Sequence, residues 1–131
     1  MLQYFRTIVL VIAGALAGII SSLFGGFDML MQSLVVFMAI DILSGTMAAV
    51  FFKCLSSRAS LRGIVKKAAT LFIIIIAVHL DALLGTNDLT RNAAIIALIL
   101  NELLSIIENL GRMGVKMPPA VVNALEILQK K

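Results

Sequence analysis

The sequence predicts an all-α integral membrane protein with about four membrane-spanning helices and a short C-terminal amphipathic helix. Of its 131 residues, 61% are hydrophobic and 14% are charged, whereas soluble domains are about 45–50% apolar and about 25% charged. The apolar residues fall in four long runs, each close to the ~20 residues that a helix needs to cross a bilayer. Charged residues lie mostly between these runs. We therefore expect a single membrane domain over residues 1–131, with no room for a separate catalytic domain.

Four apolar runs predict the spanning helices in order. The first run covers residues 7–24 and contains no charge. The second run covers 29–52 and is interrupted only by Asp41, the third covers 68–84, and the fourth covers 92–107. Glycine, asparagine and aspartate residues, which favour turns, separate the first run from the second and the third from the fourth.

The remaining segments are a basic loop over residues 53–67 and a tail over residues 108–131. Within the tail, the Pro118-Pro119 pair stops a helix and allows a new one to begin at Pro119. The apolar residues that follow recur on one side of a helix, opposite polar ones. This pattern predicts a short amphipathic helix that lies on the membrane or packs with its copies.

A carboxylate in the second run does not prevent its insertion. An Asp at the centre of a span costs about 2.5–3.5 kcal/mol, while each Leu, Ile, Phe or Val returns about 0.3–0.6 kcal/mol. The run contains eleven such residues, so their combined gain offsets the cost of Asp41.

Lysine and arginine residues predict how the chain is oriented. With four spans, ten of the eleven lie on one side of the membrane, and the positive-inside rule places that side, with both termini, in the cytoplasm. A three-span chain would put the basic loop and the basic tail on opposite sides. The orientation-setting residues of the loop, which also suit anionic lipid head groups, are Lys53, Arg58, Arg62, Lys66 and Lys67.

Several function classes are excluded by composition. One cysteine, Cys54, cannot form an intramolecular disulfide or a cysteine-based zinc site, and the single histidine, His79, is a poor basis for a metal site. The net charge of +4 is spread between apolar runs rather than over a soluble basic surface, so nucleic acid is not an expected partner. We expect no catalytic residue, no cofactor and no bound metal.

Small residues predict sites of close helix packing. Gly14, Gly18 and Ser22 recur every four residues in the first run, and Gly45 shares a helix face with Asp41 in the second. Small side chains let two helices approach closely within a bilayer. The first run either packs against another helix of the same chain or associates with a second chain.

Polar residues within the apolar runs are the candidate functional residues. Asp41 and Ser44 share one helix face, and such a carboxylate either lines a pore or protomer interface or forms a static hydrogen bond to a neighbouring helix. In the fourth run, a polar stripe either lines an aqueous path in an assembly or is the wet face of a helix that lies partly in the membrane. The stripe, which ends at Arg112, and its flanking residues are Asn101, Glu102, Ser105, Glu108 and Asn109.

Residues 101–109 read Asn-Glu-Leu-Leu-Ser-Ile-Ile-Glu-Asn and are followed by Gly114-Val115 and Pro118. This stretch resembles the C-terminal signature of the toxin-secretion/phage-lysis holin family of Gram-positive bacteria and their phages. The resemblance covers about residues 41–128. Its upstream positions are Asp41 with Gly45, Lys53, Ser56-Ser57, Gly63-Ile64, Lys66-Lys67 and Leu80-Asp81.

The resemblance implies a small, non-enzymatic protein of the bacterial cytoplasmic membrane. Members accumulate, self-associate and open lesions that release an endolysin or a large toxin, so the implied partners are copies of the chain and the lipid bilayer. One alternative is a small proton-coupled transporter. Such exporters place a Glu among aromatic residues in their first span, whereas this first run has no charge and the chain has no Trp. A second alternative is an antiholin-like, non-lytic regulator.

Overall fold

The residues that the structure describes form five helices. The structure is a computed structural model that describes residues 1–129, apart from the side chains at positions 125, 128 and 129. Helices α1 to α4 are each long and apolar enough to cross a membrane, and the residues described form no strand. The predicted all-α membrane fold is therefore confirmed. The helices are α1 (Leu2–Leu23), α2 (Met29–Phe51), α3 (Ser57–Leu84), α4 (Leu89–Arg112) and α5 (Pro119–Gln129).

Side-chain caps define where α2 and α3 begin. The Asp28 carboxylate accepts a hydrogen bond from the backbone N–H of Met31 at 3.1 Å, and the Ser56 hydroxyl accepts one from the N–H of Ala59 at 3.5 Å. Each bond satisfies an amide that the first turn of a helix leaves without a partner.

The predicted loop over residues 53–67 is wrong for most of its length, because α3 begins at Ser57. Hydropathy marks the part of a helix that suits lipid, whereas Ala, Lys and Arg favour a helix in water as well. For the same reason α4 extends beyond the predicted run 92–107 at both ends and ends at Arg112, inside the predicted tail. The amphipathic helix begins at Pro119, as predicted.

Helices α2, α3 and α4 form a bundle. Helix α4 packs against both of the others, which contact each other much less. The interior of the bundle contains Leu34 from α2, Ile74 from α3 and Ile95 from α4, each no more than 1% exposed. We call these three residues the apolar layer.

The two ends of the bundle differ in charge. The α2–α3 connection and the end of α4 at Arg112 lie at one end, which we call the basic end because most of the Lys and Arg residues are near it. The α1–α2 and α3–α4 turns lie at the opposite end.

Helix α1 lies outside the bundle. None of its residues, all of which the structure describes, is buried. A Cβ added at Gly14 or Gly18 would have no side-chain or distant backbone atom of residues 1–129 within 4 Å. Of the two alternatives for this small-residue face, packing within the chain is therefore not observed, and association between chains stays a prediction.

Removal of side-chain volume from the apolar layer should destabilise the bundle. We expect Leu34→Ala to lower the free energy of unfolding by about 2 kcal/mol or more, because it leaves a cavity. Leu43→Ala is the matched control, since Leu43 is on the same helix and 64% exposed. Unfolding in detergent micelles, followed by circular dichroism, measures both changes. Equal losses in the two variants would contradict the assignment of the core.

Candidate functional site: a buried ion network

One ammonium group bridges two carboxylates from different helices at the centre of the bundle. The Nζ atom of Lys67 in α3 lies 2.7 Å from Oδ2 of Asp41 in α2, and it also donates to Oε2 of Glu102 in α4. Asp41 is 7% exposed and Glu102 is 3% exposed. The ion pairs therefore connect all three helices of the bundle.

An amide extends this network along α2. The Asn109 side chain donates to Oδ1 of Asp41 at 3.0 Å and to Oγ of Ser44 at 3.1 Å. A Cβ added at Gly45 would lie 3.4 Å from Nδ2 of Asn109, so glycine allows this close approach. We call Asp41, Ser44, Lys67, Glu102 and Asn109 the central network.

On each of the three helices, the same number of residues separates the ion-pair member of the central network from the member of the apolar layer. Asp41 follows Leu34 by seven residues, Ile74 follows Lys67 by seven, and Glu102 follows Ile95 by seven. Seven residues make nearly two helical turns, so each pair shares a face and is about 10 Å apart along its helix. In every case the apolar member lies toward the end opposite the basic one, so the two sets form successive layers.

Only part of the predicted polar set meets in the structure. Asp41, Ser44, Glu102 and Asn109 come together, and Ser105 lines an adjacent cavity. Asn101 and Glu108 are exposed. Side chains of adjacent residues in a helix point about 100° apart. Stripes that begin one residue apart therefore lie on different faces of α4, and only one of them faces the bundle. Here the inward stripe contains Glu102, Ser105 and Asn109.

Lys67 is the network member that the sequence analysis assigned to a different role. Among the orientation-setting residues of the predicted loop, it is the one next to the third apolar run. Two carboxylates within apolar runs favour pairing with a cation, and Lys67 is a basic residue at the border of such a run. The sequence therefore contained a signal that Lys67 could be the partner of these carboxylates.

A second polar cluster, the arginine clamp, fastens the α1–α2 turn to the start of α4. The buried Arg91 guanidinium donates to both carboxylate oxygens of Asp28, at 2.9 and 3.0 Å. It also donates to the backbone oxygens of Phe24, at 2.6 Å, and Gly26, at 3.0 Å. Gly25 has a φ of +70°, and a Cβ there would lie 2.9 Å from the Arg91 side chain. Glycine is therefore needed for this close contact.

The carboxylate of Asp81 holds the first turn of α4. It accepts hydrogen bonds from the backbone N–H groups of Thr90, at 2.9 Å, and Arg91, at 2.7 Å, and from the Thr86 hydroxyl. These amides belong to a helix N-terminus, where a negative charge is favourable. The sequence analysis missed this role because Asp81 precedes the amides by nine and ten residues, outside any short capping motif.

Comparison with known proteins identifies the family. The sequence model of the bacteriophage holin family matches residues 18–130 of the chain. The chain belongs to the bacteriophage holin family. The chain is 36% identical over 90 residues to a "Probable holin" of Bacillus phage phi105, and this alignment covers 69% of the chain and 67% of that protein. The resemblance noted from the sequence is confirmed.

Bacterial relatives of this holin cover more of its length. It is 42% identical over 109 residues to the uncharacterized protein Lmo0128 of Listeria monocytogenes, covering 83% of this chain and 78% of the relative. It is 36% identical over 110 residues to the "Uncharacterized 14.9 kDa protein in nagH 3'region" of Clostridium perfringens, and the alignment covers 83% of each chain. No solved structure matches the chain. The family and the four apolar helices make this holin a multi-pass membrane protein.

The arginine clamp should make part of the stability pH-dependent. Its hydrogen bonds from Arg91 hold the pKa of the Asp28 carboxyl below its usual 3.8. A carboxyl with a lowered pKa in the folded state contributes stability that is complete above about 3.8 and is lost as pH falls through the folded-state value. We expect Asp28→Asn to destabilise the holin by about 1 kcal/mol or less above pH 5, since Asp28 is half exposed.

Asparagine is an equally good helix cap, so this change isolates the charge. Unfolding of both proteins in micelles between pH 2 and 6 is the measurement. The stability difference should shrink at the acidic end, and a difference that stays constant over the range would contradict the ion pair.

Proposed function

We propose that this holin self-associates in the bacterial cytoplasmic membrane and opens lesions that let an endolysin or a large toxin pass. The match to the bacteriophage holin family over most of the chain carries this proposal. The cargo need not bind to the chain in order to pass. Copies of the chain and the bilayer, including anionic lipids near exposed Arg58, Arg62 and Lys66, are its partners.

A single chain satisfies the hydrogen-bonding groups buried in its own interior. Among the side chains described, no buried nitrogen or oxygen atom lacks a hydrogen-bond partner. The bundle α2–α4 can therefore lie in lipid without an unsatisfied interior, as membrane insertion requires. This supports a protein that accumulates harmlessly before lesions open.

Two exposed features support association with further copies. The small-residue face of α1 at Gly14 and Gly18 contacts no other helix in the described chain, and small faces promote close helix packing in lipid. Asn101 on α4 is exposed and lies about 16 Å along the helix from its end at Arg112. A polar side chain at that depth favours contact with protein or water over lipid.

Charge distribution supports cytoplasmic termini. Among the residues that the structure describes, Arg91 is the one basic residue at the opposite end of the bundle, and Asp28 neutralises it. The basic end therefore carries the excess of Lys and Arg that the positive-inside rule associates with the cytoplasmic side. The last two lysines of the chain lie outside the described residues.

Induced expression in a bacterial host tests the proposal. We expect the unaltered holin to collapse the membrane potential and admit a normally impermeant dye. The double variant Gly14→Leu/Gly18→Leu should reach the membrane at normal levels and fail to admit dye, because its bulk blocks close packing. The matched control, Leu16→Phe, adds bulk on the opposite side of α1 and should remain active.

Three outcomes would overturn parts of the proposal. Full dye entry with the double variant would contradict the role of the α1 face. An intact potential with the unaltered protein would contradict lesion formation and indicate an antiholin-like regulator. Substrate-dependent proton flux in liposomes that retain larger solutes would indicate a transporter.

A further inference from the structure

A cavity of about 350 Å³ opens between α2, α3 and α4 on the basic side of the central network. Ser56 at the start of α3 and Arg112 at the end of α4 lie at its outer part, and Asp41 and Lys67 lie at its inner end. The weak contact between α2 and α3 leaves the space that the cavity occupies. A water molecule takes up about 30 Å³ in the liquid, so the cavity has room for about ten.

The cavity extends about 15 Å along the helices from the basic end. Asp41 lies ten residues before Phe51, where α2 ends at the basic side, and Lys67 lies ten residues after Ser57, where α3 begins. Both separations correspond to about 15 Å at 1.5 Å per residue, against ~30 Å for the hydrocarbon core.

The chemistry of the walls favours water over lipid chains. The lining includes the hydroxyl groups of Thr46, Ser60 and Ser105 as well as the network groups. Within the central network, two carboxyl groups share one ammonium group. Ionic groups in an apolar medium are strongly unfavourable, whereas water in the cavity would solvate them.

The apolar layer closes the cavity at its inner end. Leu34, Ile74 and Ile95 lie two turns beyond the network on each helix and are no more than 1% exposed. All residues that line the cavity lie on the basic side of this layer. The polar path therefore stops at the central network.

We propose that each single chain contains a water-filled half-channel that runs from the basic end to Asp41, Lys67 and Glu102 and is closed by the apolar layer. This half-channel is present before any lesion forms, so it goes beyond the proposed function and does not depend on it. Its occupant is water, which hydrates the network from one side of the membrane alone.

Cysteine accessibility tests the proposal with pairs of neighbouring positions. Thr46, whose side chain is exposed, and Ala49 line the cavity, whereas Met47 and Val50, one residue further along α2, are 60% and 58% exposed and lie outside its lining. Each would be replaced by Cys in a Cys54→Ser background, because Cys54 also lines the cavity. The reagent is a charged, membrane-impermeant methanethiosulfonate added to one side of sealed vesicles that retain a trapped dye.

We expect Thr46→Cys and Ala49→Cys to react at least about tenfold faster than Met47→Cys and Val50→Cys, because only the thiolate reacts and apolar surroundings suppress it. The fast reaction should occur with reagent on the side of the basic end alone. Leu34→Cys, within the apolar layer, should react from neither side.

Equal rates within each pair, or fast reaction from both sides, would overturn the half-channel. Reaction of Leu34→Cys would overturn the closure. Because the vesicles stay sealed to dye, none of these results depends on lesion formation, and failure of the proposed function leaves them interpretable.

Discussion

The position of the Lys67 ammonium group between Asp41 and Glu102 is the constraint on which the bundle depends. A charge moved from water into an apolar medium carries a large desolvation cost, and it is tolerated only when partners compensate it. Here the partners come from α2 and α4, so α3 can remain in the membrane only beside both. In lipid, helices gain little from hydrophobic association, and polar contacts of this kind set which helices meet and in what register. The seven-residue spacing to Leu34, Ile74 and Ile95 then brings one apolar side chain from each helix into the same layer.

The arginine clamp performs the same task at the other end. Arg91 joins Asp28 and the backbone of the α1–α2 turn to the start of α4. Asp81 joins the end of α3 to the first turn of α4. The bundle is thus held by buried charges at two levels, and α1 is attached through its C-terminal turn alone among the contacts described. That arrangement leaves the face of α1 available for a second chain, which is the arrangement that the proposed self-association requires.

Hydropathy was enough to predict the number of spanning helices and the short helix that starts at Pro119, because both follow from local composition. It did not predict that α3 begins at Ser57, since a helix rich in Ala, Lys and Arg can continue outside lipid. The residues within the central network were recognisable one at a time: Asp41, Glu102 and Asn109 stood out as polar groups in apolar runs. The pairing of Asp41 and Glu102 with Lys67 was not recognisable, because it joins positions 26 and 35 residues apart and depends on how the three helices are rotated. The role of Asp81 was hidden for the same reason.

A double-mutant cycle on Asp41 and Lys67 tests the central claim most directly. The free energies of unfolding of Asp41→Asn, Lys67→Met and the double variant would be measured in detergent micelles and compared with the unaltered protein. The ion pair predicts a coupling energy of about 0.5–3 kcal/mol, the range found for residues in contact. The control cycle pairs Asp41→Asn with Lys66→Met, because Lys66 is the exposed neighbour of Lys67, and it should be additive within about 0.5 kcal/mol. Additive effects of Asp41→Asn and Lys67→Met would contradict the account.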